Sequence, residues 1–354
     1  MIALEQDPLV ERQGRRFDLD ASVTSIHWVD DTAWLACGDG IVRRISVEGD
    51  YKPLAAHQGA ILSAAADPDG GALLTGGDDG RVLRLARDGS AEEVGHFGRY
   101  WIEHLVASPK SGIIVAGVGK EAVVWLRGQR DAAHRFQFAS TIGGLALDGK
   151  GKRLAATHYG GASLLFAASA SSGNIALKWA GSHLGCTLSA DGSYLVSAMQ
   201  ETGLHGWKLP QKTDIAMRGY KAKTRSFSWS HRNKWLATGG DSSAILWPFE
   251  GKTGPVGKRP LLLGASESLV TKVAFHPRLD FLAAGYADGS VALLSTADDI
   301  SINVEKPVSR AISALSWRAD GAMLAWGSEQ GSAGLLEVDP VTRMALAPYR
   351  QQPG

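Results

Sequence analysis

Thr75-Gly76-Gly77-Asp78-Asp79-Gly80-Arg81-Val82-Leu83-Arg84-Leu85 decides the fold. It reads as the end of one strand, a tight turn and a second strand. Leu73-Leu74 run into Thr-Gly-Gly, and Val82, Leu83 and Leu85 resume an apolar strand. Asp79-Gly80 between them is a hairpin dipeptide, because glycine accepts positive φ and aspartate tolerates it. The same shape returns at Thr238-Gly239-Gly240-Asp241-Ser242-Ser243-Ala244-Ile245-Leu246-Trp247. It returns again at Ala284-Gly285-Tyr286-Ala287-Asp288-Gly289-Ser290-Val291-Ala292-Leu293-Leu294. A single hairpin is thus repeated along the chain.

Each hairpin is preceded by another strand and turn, such as Ala64-Ala65-Ala66-Asp67-Pro68-Asp69-Gly70 or Val273-Ala274-Phe275-His276-Pro277. The last apolar residue of that strand serves as a ruler: Trp28, Ala66, Ala107, Leu147, Leu188, Trp229, Phe275 and Trp317. The steps are 38, 41, 40, 41, 41, 46 and 42 residues. A period near 41 with four short strands per unit is the signature of a β-propeller blade. One such sheet cannot bury both faces, and packing sheets against one another does so while leaving only short edges. The spacing predicts an all-β chain, a single β-propeller of four-stranded antiparallel blades. The count is eight; seven blades plus one irregular segment is the alternative, because the third to fifth copies have the weakest turn chemistry.

These residues resemble the WD-repeat (WD40) family over nearly the whole chain. The family's Ser-Pro-Asp-Gly turn is matched by Asp67-Pro68-Asp69-Gly70, and its Gly-His by Ala56-His57. Its Ser/Thr, turn Asp and strand Trp are matched by Thr238, Asp241 and Trp247, and in the second copy by Thr75 and Asp79, with Leu85 replacing Trp. No copy ends in Trp-Asp, the sixth has Tyr220 in place of His, and none carries the full His–Ser/Thr–Asp–Trp set. The propeller is therefore expected to lean on apolar packing between blades.

Arg15-Arg16-Phe17-Asp18-Leu19 sits where other units place an outer strand, whereas the last unit stops after Gly334-Leu335-Leu336-Glu337-Val338. The N-terminal strand is expected to complete the last blade, with Met344 to Ala347 as the competing candidate. The domain reading is a flexible segment over 1–13, the propeller over 14–344 and a tail over 345–354. Glu250 to Pro260, rich in Gly and Pro, reads as an exposed loop.

Composition narrows the function classes. Of 354 residues, 44% are hydrophobic and 21% charged, and the formal charge is +1. That balance disfavours a general nucleic-acid or anionic-membrane binder. Two cysteines in different repeats, Cys37 and Cys186, argue against a disulfide framework and for a reducing compartment. No run reaches the roughly 18 apolar residues of a membrane span. The reading is a soluble, cytoplasmic chain.

Catalytic and cofactor motifs are not found. Gly251-Lys252-Thr253 ends like a P-loop, but the required earlier Gly is Leu246, and Pro255 and Pro260 oppose the helix such a loop needs. The ten histidines show no His-Glu-x-x-His spacing and there is no Cys-x-x-Cys, so no metal site is assigned. Asp78 and Asp79 are turn residues before they are a carboxylate pair. No catalytic residue and no cofactor are expected.

Binding remains. In the WD-repeat family the starts of the inner strands form the rim of one face. Counting back from the ruler places Trp101 and Glu103 there in the third unit, and Lys223 and Arg225 in the sixth. Tyr100-Trp101 is the sharpest pair, since aromatics and Arg dominate interface hot spots; packing of Trp101 on a neighbouring blade is the competing reading. From Lys208 to Lys234 eight Lys/Arg face one acid, Asp214. Edge-strand solvation and an acidic-partner patch both fit that run. Gly149-Lys150-Gly151-Lys152-Arg153 reads as a solvated turn. The expected function is a non-catalytic protein-interaction scaffold, monomeric on its own, binding one or more proteins through Tyr100, Trp101, Glu103, Lys223 and Arg225. Two alternatives remain open: a central-channel ligand binder or enzyme using Glu103, His104, Arg225 and Lys272, and an RNA or polyanion factor using residues 208–234.

Overall fold

The structure is a computed structural model that describes residues 7–171, 173–209, 211–298, 300–308 and 310–347. Parts of the segments 1–13 and 345–354 lie outside the described residues. Among the described residues almost all regular structure is β; the exceptions are the short helices Leu9–Gln13 and Pro340–Leu346. By contact density the chain forms two compact units, residues 27–225 and residues 1–26 with 226–354.

The first of these holds three four-stranded antiparallel sheets in chain order. The second sheet shows the pattern: Ile61–Ala66, Ala72–Gly77, Arg81–Ala86 and Ala91–His96 pair as a meander. Burial follows strand position. Ala72–Gly77 is buried at every residue, whereas Ala91–His96 is mostly exposed. The inner strands can be apolar on both sides because a neighbouring sheet covers each face. Val82, Ile102, Leu105, Val123 and Trp125, drawn from successive sheets, form one such core.

The fourth sheet corrects the blade count. Units four and five, expected to be separate, share one six-stranded sheet, so among the described residues there are seven sheets and not eight. The cause is two strands of 14 residues, Arg153–Phe166 and Ile175–Leu188, that change partner midway. The first half of Arg153–Phe166 pairs with Gly144–Leu147. Its second half pairs with the start of Ile175–Leu188, whose own second half pairs with Tyr194–Met199. Register shifts at Tyr159/Gly161 and His183/Gly185 mark the hand-over. Arg153–Phe166 folds back at Tyr159-Gly160-Gly161, since Ala167 N–H donates to the Lys152 carbonyl across its two ends at 2.9 Å, and that is how one run serves two sets of neighbours.

Residues 1–26 with 226–354 hold three four-stranded sheets. In the last, Gly14–Asp18 pairs antiparallel with Ser332–Glu337 and supplies the fourth strand. Met344, the competing candidate, lies in the helix Pro340–Leu346. The strand is anchored beyond its ladder. The Arg16 guanidinium donates to both carboxylate oxygens of the buried Glu305, at 2.7 and 2.8 Å. Residues 9–13, assigned to a flexible segment, are helical, and Leu9 and Val10 are buried in a core with Phe281, Leu293, Trp326 and Leu346. Deleting residues 1–20 should therefore lower the melting temperature clearly, and an unchanged thermal melt would refute this closure.

His276 occupies the turn position where other units use Asp67, Ser189 or Ser230. Its Nδ1 accepts from the backbone N–H of Arg278 and Leu279, so Nε2 carries the proton and donates to the Gly321 carbonyl. Burial between Phe281 and Trp317, which outweighs the hydrogen bond to Gly321, pushes its pKa down to about 4. The unfolded chain binds this proton near pH 6.5, so the contribution is complete above that pH. It is lost as pH falls from 6.5 toward 4, by about 1.4 kcal/mol per pH unit. His276→Asn keeps an acceptor and removes the titration. Its melting temperature should fall less steeply than that of the natural chain between pH 6.5 and 4.

Candidate functional site

The opening hairpin builds the candidate site. Asp79 accepts from His57 Nδ1–H at 2.9 Å, which leaves His57 Nε2 to accept the Thr75 hydroxyl at 2.9 Å. Burial alone would raise the Asp79 carboxyl. The bonds from His57 and from the backbone N–H of Arg81 and Gln58 outweigh it and hold the carboxyl below its ordinary value. The chain was expected to lean on apolar packing for want of the full family set; in the second unit three of the four family positions still form a buried polar network, with Leu85 in the place of Trp.

The network fixes the turn, and the turn fixes the next loop. Phe97 N–H donates to the Gly80 carbonyl at 2.8 Å, and Ile102 N–H to the Gly77 carbonyl at 3.1 Å. Gly80 has φ of 75°, and a Cβ there would stand 2.1 Å from the Gly98 carbonyl oxygen. No larger residue admits this approach. Ile102 is fully buried and its carbonyl accepts from Ser63 Oγ at 2.6 Å. With Ile102 pinned inward, the side chains on either side of it point out. Trp101 is 60% exposed and Tyr100 54%, and Glu103 is exposed. Trp101 thus does not pack into a neighbouring blade.

A third aromatic joins them that the sequence reading missed. Tyr159 is 70% exposed at the Tyr159-Gly160-Gly161 bend. The loops connect: Tyr100 lies over Gly119, Gly119 accepts from Ile142 N–H, and Ser140 Oγ accepts from Tyr159 N–H. The Gly-Gly pair following Tyr159 was the available signal, since it marks a tight turn that leaves a large side chain outside.

Lys223 and Arg225 are exposed and alternate with buried Thr224 and Ser226. Arg225 and Glu103 both act electrostatically on His104, whose pKa is lowered, chiefly by burial. Arg225 therefore lies near enough to the third-unit entrance to act on the same histidine as Glu103. Among the described residues no hydrogen bond or ion pair joins Lys223 or Arg225 to Tyr100, Trp101 or Glu103. The basic run is not one patch. Lys208 and Lys212 flank the turn at one end of their strands, whereas the Arg218–Arg225 loop follows the other end. Lys234 is paired with Glu250 at 2.8 Å. Among the described residues, no group of three or more His, Cys, Asp or Glu is placed to hold a metal. Both cysteines are free thiols, pushed up by burial to about 11 for Cys37 and about 12 for Cys186.

The WD domain, G-beta repeat family matches residues 51–83, 212–248 and 258–294. The last two segments contain the hairpins that begin at Thr238 and Ala284, and the first ends within the one that begins at Thr75. These three segments are WD repeats. No curated protein matches it. Among solved structures it is similar to the crystal structure of the computationally designed Ika8 protein, with a TM-score of 0.73 and 14% identity over 91% of this chain and 98% of that one. That likeness concerns the fold alone. No helix among the described residues is long and apolar enough to cross a membrane.

Within this WD-repeat chain the His57–Asp79 bond should hold the aromatic loop in place. Asp79→Ala leaves His57 Nδ1–H buried without an acceptor, at a cost of about 1–3 kcal/mol. It should lower the melting temperature and shift the tryptophan fluorescence of the exposed Trp101 loop; a wild-type melt would show that the network is dispensable.

Proposed function

We propose that this WD-repeat chain is a non-catalytic scaffold that presents the loops bearing Tyr100, Trp101, Glu103, Lys223 and Arg225 to a protein partner. One observation carries the reading: ordered turns hold Tyr100 and Trp101 more than half exposed, with Tyr159 on a connected loop. Keeping large aromatics in water is unfavourable, and such residues anchor interfaces when a partner covers them. Backbone hydrogen bonds seat the loop that carries Tyr100 and Trp101, so less order must be gained on binding. Glu103, Lys223 and Arg225 supply the charges that select and steer a partner around that centre.

The scaffold reading carries no catalytic role, cofactor or membrane attachment, and it has the chain monomeric and in a reducing cytoplasm. Two cysteines left as free thiols support that compartment. The split of the 208–234 basic run between strand ends weakens the polyanion reading. The test is affinity purification at native expression, followed by pull-down with Trp101→Ala and Arg225→Glu. Each substitution should reduce recovery of the native partner severalfold while the melting temperature stays within a few degrees. Full recovery with both would remove these loops from the interface.

A further inference from the structure

The opposite end of the third and fourth units carries a groove that the aromatic loops do not touch. In the sheet beginning at His104, Tyr100 and Trp101 precede one end of the strands. The turns 108–112 and 126–130 lie at the other. There the protein encloses about 620 Å³, within the range of ligand-sized clefts. Ile113, Leu126, Phe166 and Ala168 make its apolar lining, Arg127 and Lys152 bring charge, and no carboxylate lines it.

Backbone bonds build the walls. The Asp148 carboxylate accepts from the N–H groups of Lys152 and Arg153, and the Lys152 carbonyl accepts from Ala167 N–H at 2.9 Å. His134 Nε2 meets the Ala168 carbonyl at 3.1 Å. Gly151 has φ of 65°, and a Cβ there would stand 2.1 Å from Ser108 Oγ, so the 148–153 turn is pressed against the 108–111 turn. Phe166 is held 51% exposed at the edge of this cleft. Ser111 also lines it, and its Oγ has no hydrogen-bond partner among the described residues.

The charge around the groove is one-sided. Arg127 is paired with Asp69 at 2.9 Å, and Asp148 is engaged by backbone N–H groups. Lys110, Arg130, Lys150 and Lys152 are exposed and make no ion pair among the described residues; Asp131 is the one exposed acid in these turns. Lys152 lines the cleft, Lys110 and Lys150 flank its lining residues Ser111 and Gly151 in the chain, and Arg130 lies in the turn that begins at Leu126.

We propose that this groove docks an acidic segment of a partner protein. Apolar side chains of that segment pack on Phe166, Leu126 and Ile113, while its carboxylates face Lys110, Arg130, Lys150 and Lys152. The apolar lining favours a peptide over a nucleic-acid backbone, which offers charge without aliphatic groups. The concave walls favour a peptide over a membrane surface. The groove is separate from the aromatic loops, and the two sites stand or fall separately.

The test is fluorescence anisotropy on the full chain, using labelled peptides of about 12 residues that alternate Glu with Leu and Phe. One control peptide carries Lys for Glu and another Ser for the apolar residues. Anionic phosphatidylserine vesicles and single-stranded RNA form the other arms. The acidic apolar peptide should bind, and more weakly as salt rises from about 50 to about 300 mM. Lys150→Glu with Lys152→Glu, and separately Phe166→Ala, should each weaken it about tenfold. Trp101→Ala should leave it unchanged, and melting curves confirm that each variant folds. The proposal is overturned by equal binding of the Lys peptide, by insensitivity to Phe166→Ala, by absence of peptide binding, or by vesicles or RNA binding in its place.

Discussion

The hydrogen bonds from Thr75 through His57 to Asp79 are the constraint on which the candidate site depends. They are few and buried, and they act where the chain reverses direction. A carboxylate in that position is stable only because three donors meet it. Its placement sets the Asp79-Gly80 turn, whose backbone then takes the hydrogen bond that seats the 97–102 loop. Ile102 inward and Trp101 outward follow from that seating. The exposed aromatics are therefore a consequence of a polar network two turns away.

The same physical tension shapes the remainder of the chain. Short apolar strands need neighbours on both faces, and each sheet obtains them from the next. Arg153–Phe166 and Ile175–Leu188 each run 14 residues and merge two units into one sheet. The N-terminal strand obeys the opposite need. The last unit has an open edge after Ser332–Glu337, and Gly14–Asp18 covers it with a ladder and an Arg16–Glu305 pair. A covered edge cannot template pairing with another chain.

Function in this chain is distributed over turns. The strands are occupied by packing, so polar and aromatic groups that remain free are those the turns expose. At one end of the third and fourth units these are aromatic, and at the other they are cationic around an apolar cleft. Both ends owe their shape to glycines at positive φ: Gly80 lets two backbones approach, and Gly151 lets a backbone approach the side chains of Ser108 and Ser111.

The repeat period, the hairpin dipeptides and the apolar ruler were legible in the sequence because they depend on local geometry: strand alternation, turn φ and unit length. Tyr100, Trp101, Glu103, Lys223 and Arg225 could be placed at strand starts by counting, for the same reason. Sequence alone could not show the merged fourth and fifth units, since pairing partners are chosen by hydrogen bonds between distant residues. Nor could it show Tyr159 linked through the 140–142 loop to the Tyr100 loop, Arg225 acting on His104, or the cleft around Phe166, because those groups are brought together only by tertiary packing. Local rules set which residues turn and which extend; tertiary packing alone decided which turns became neighbours.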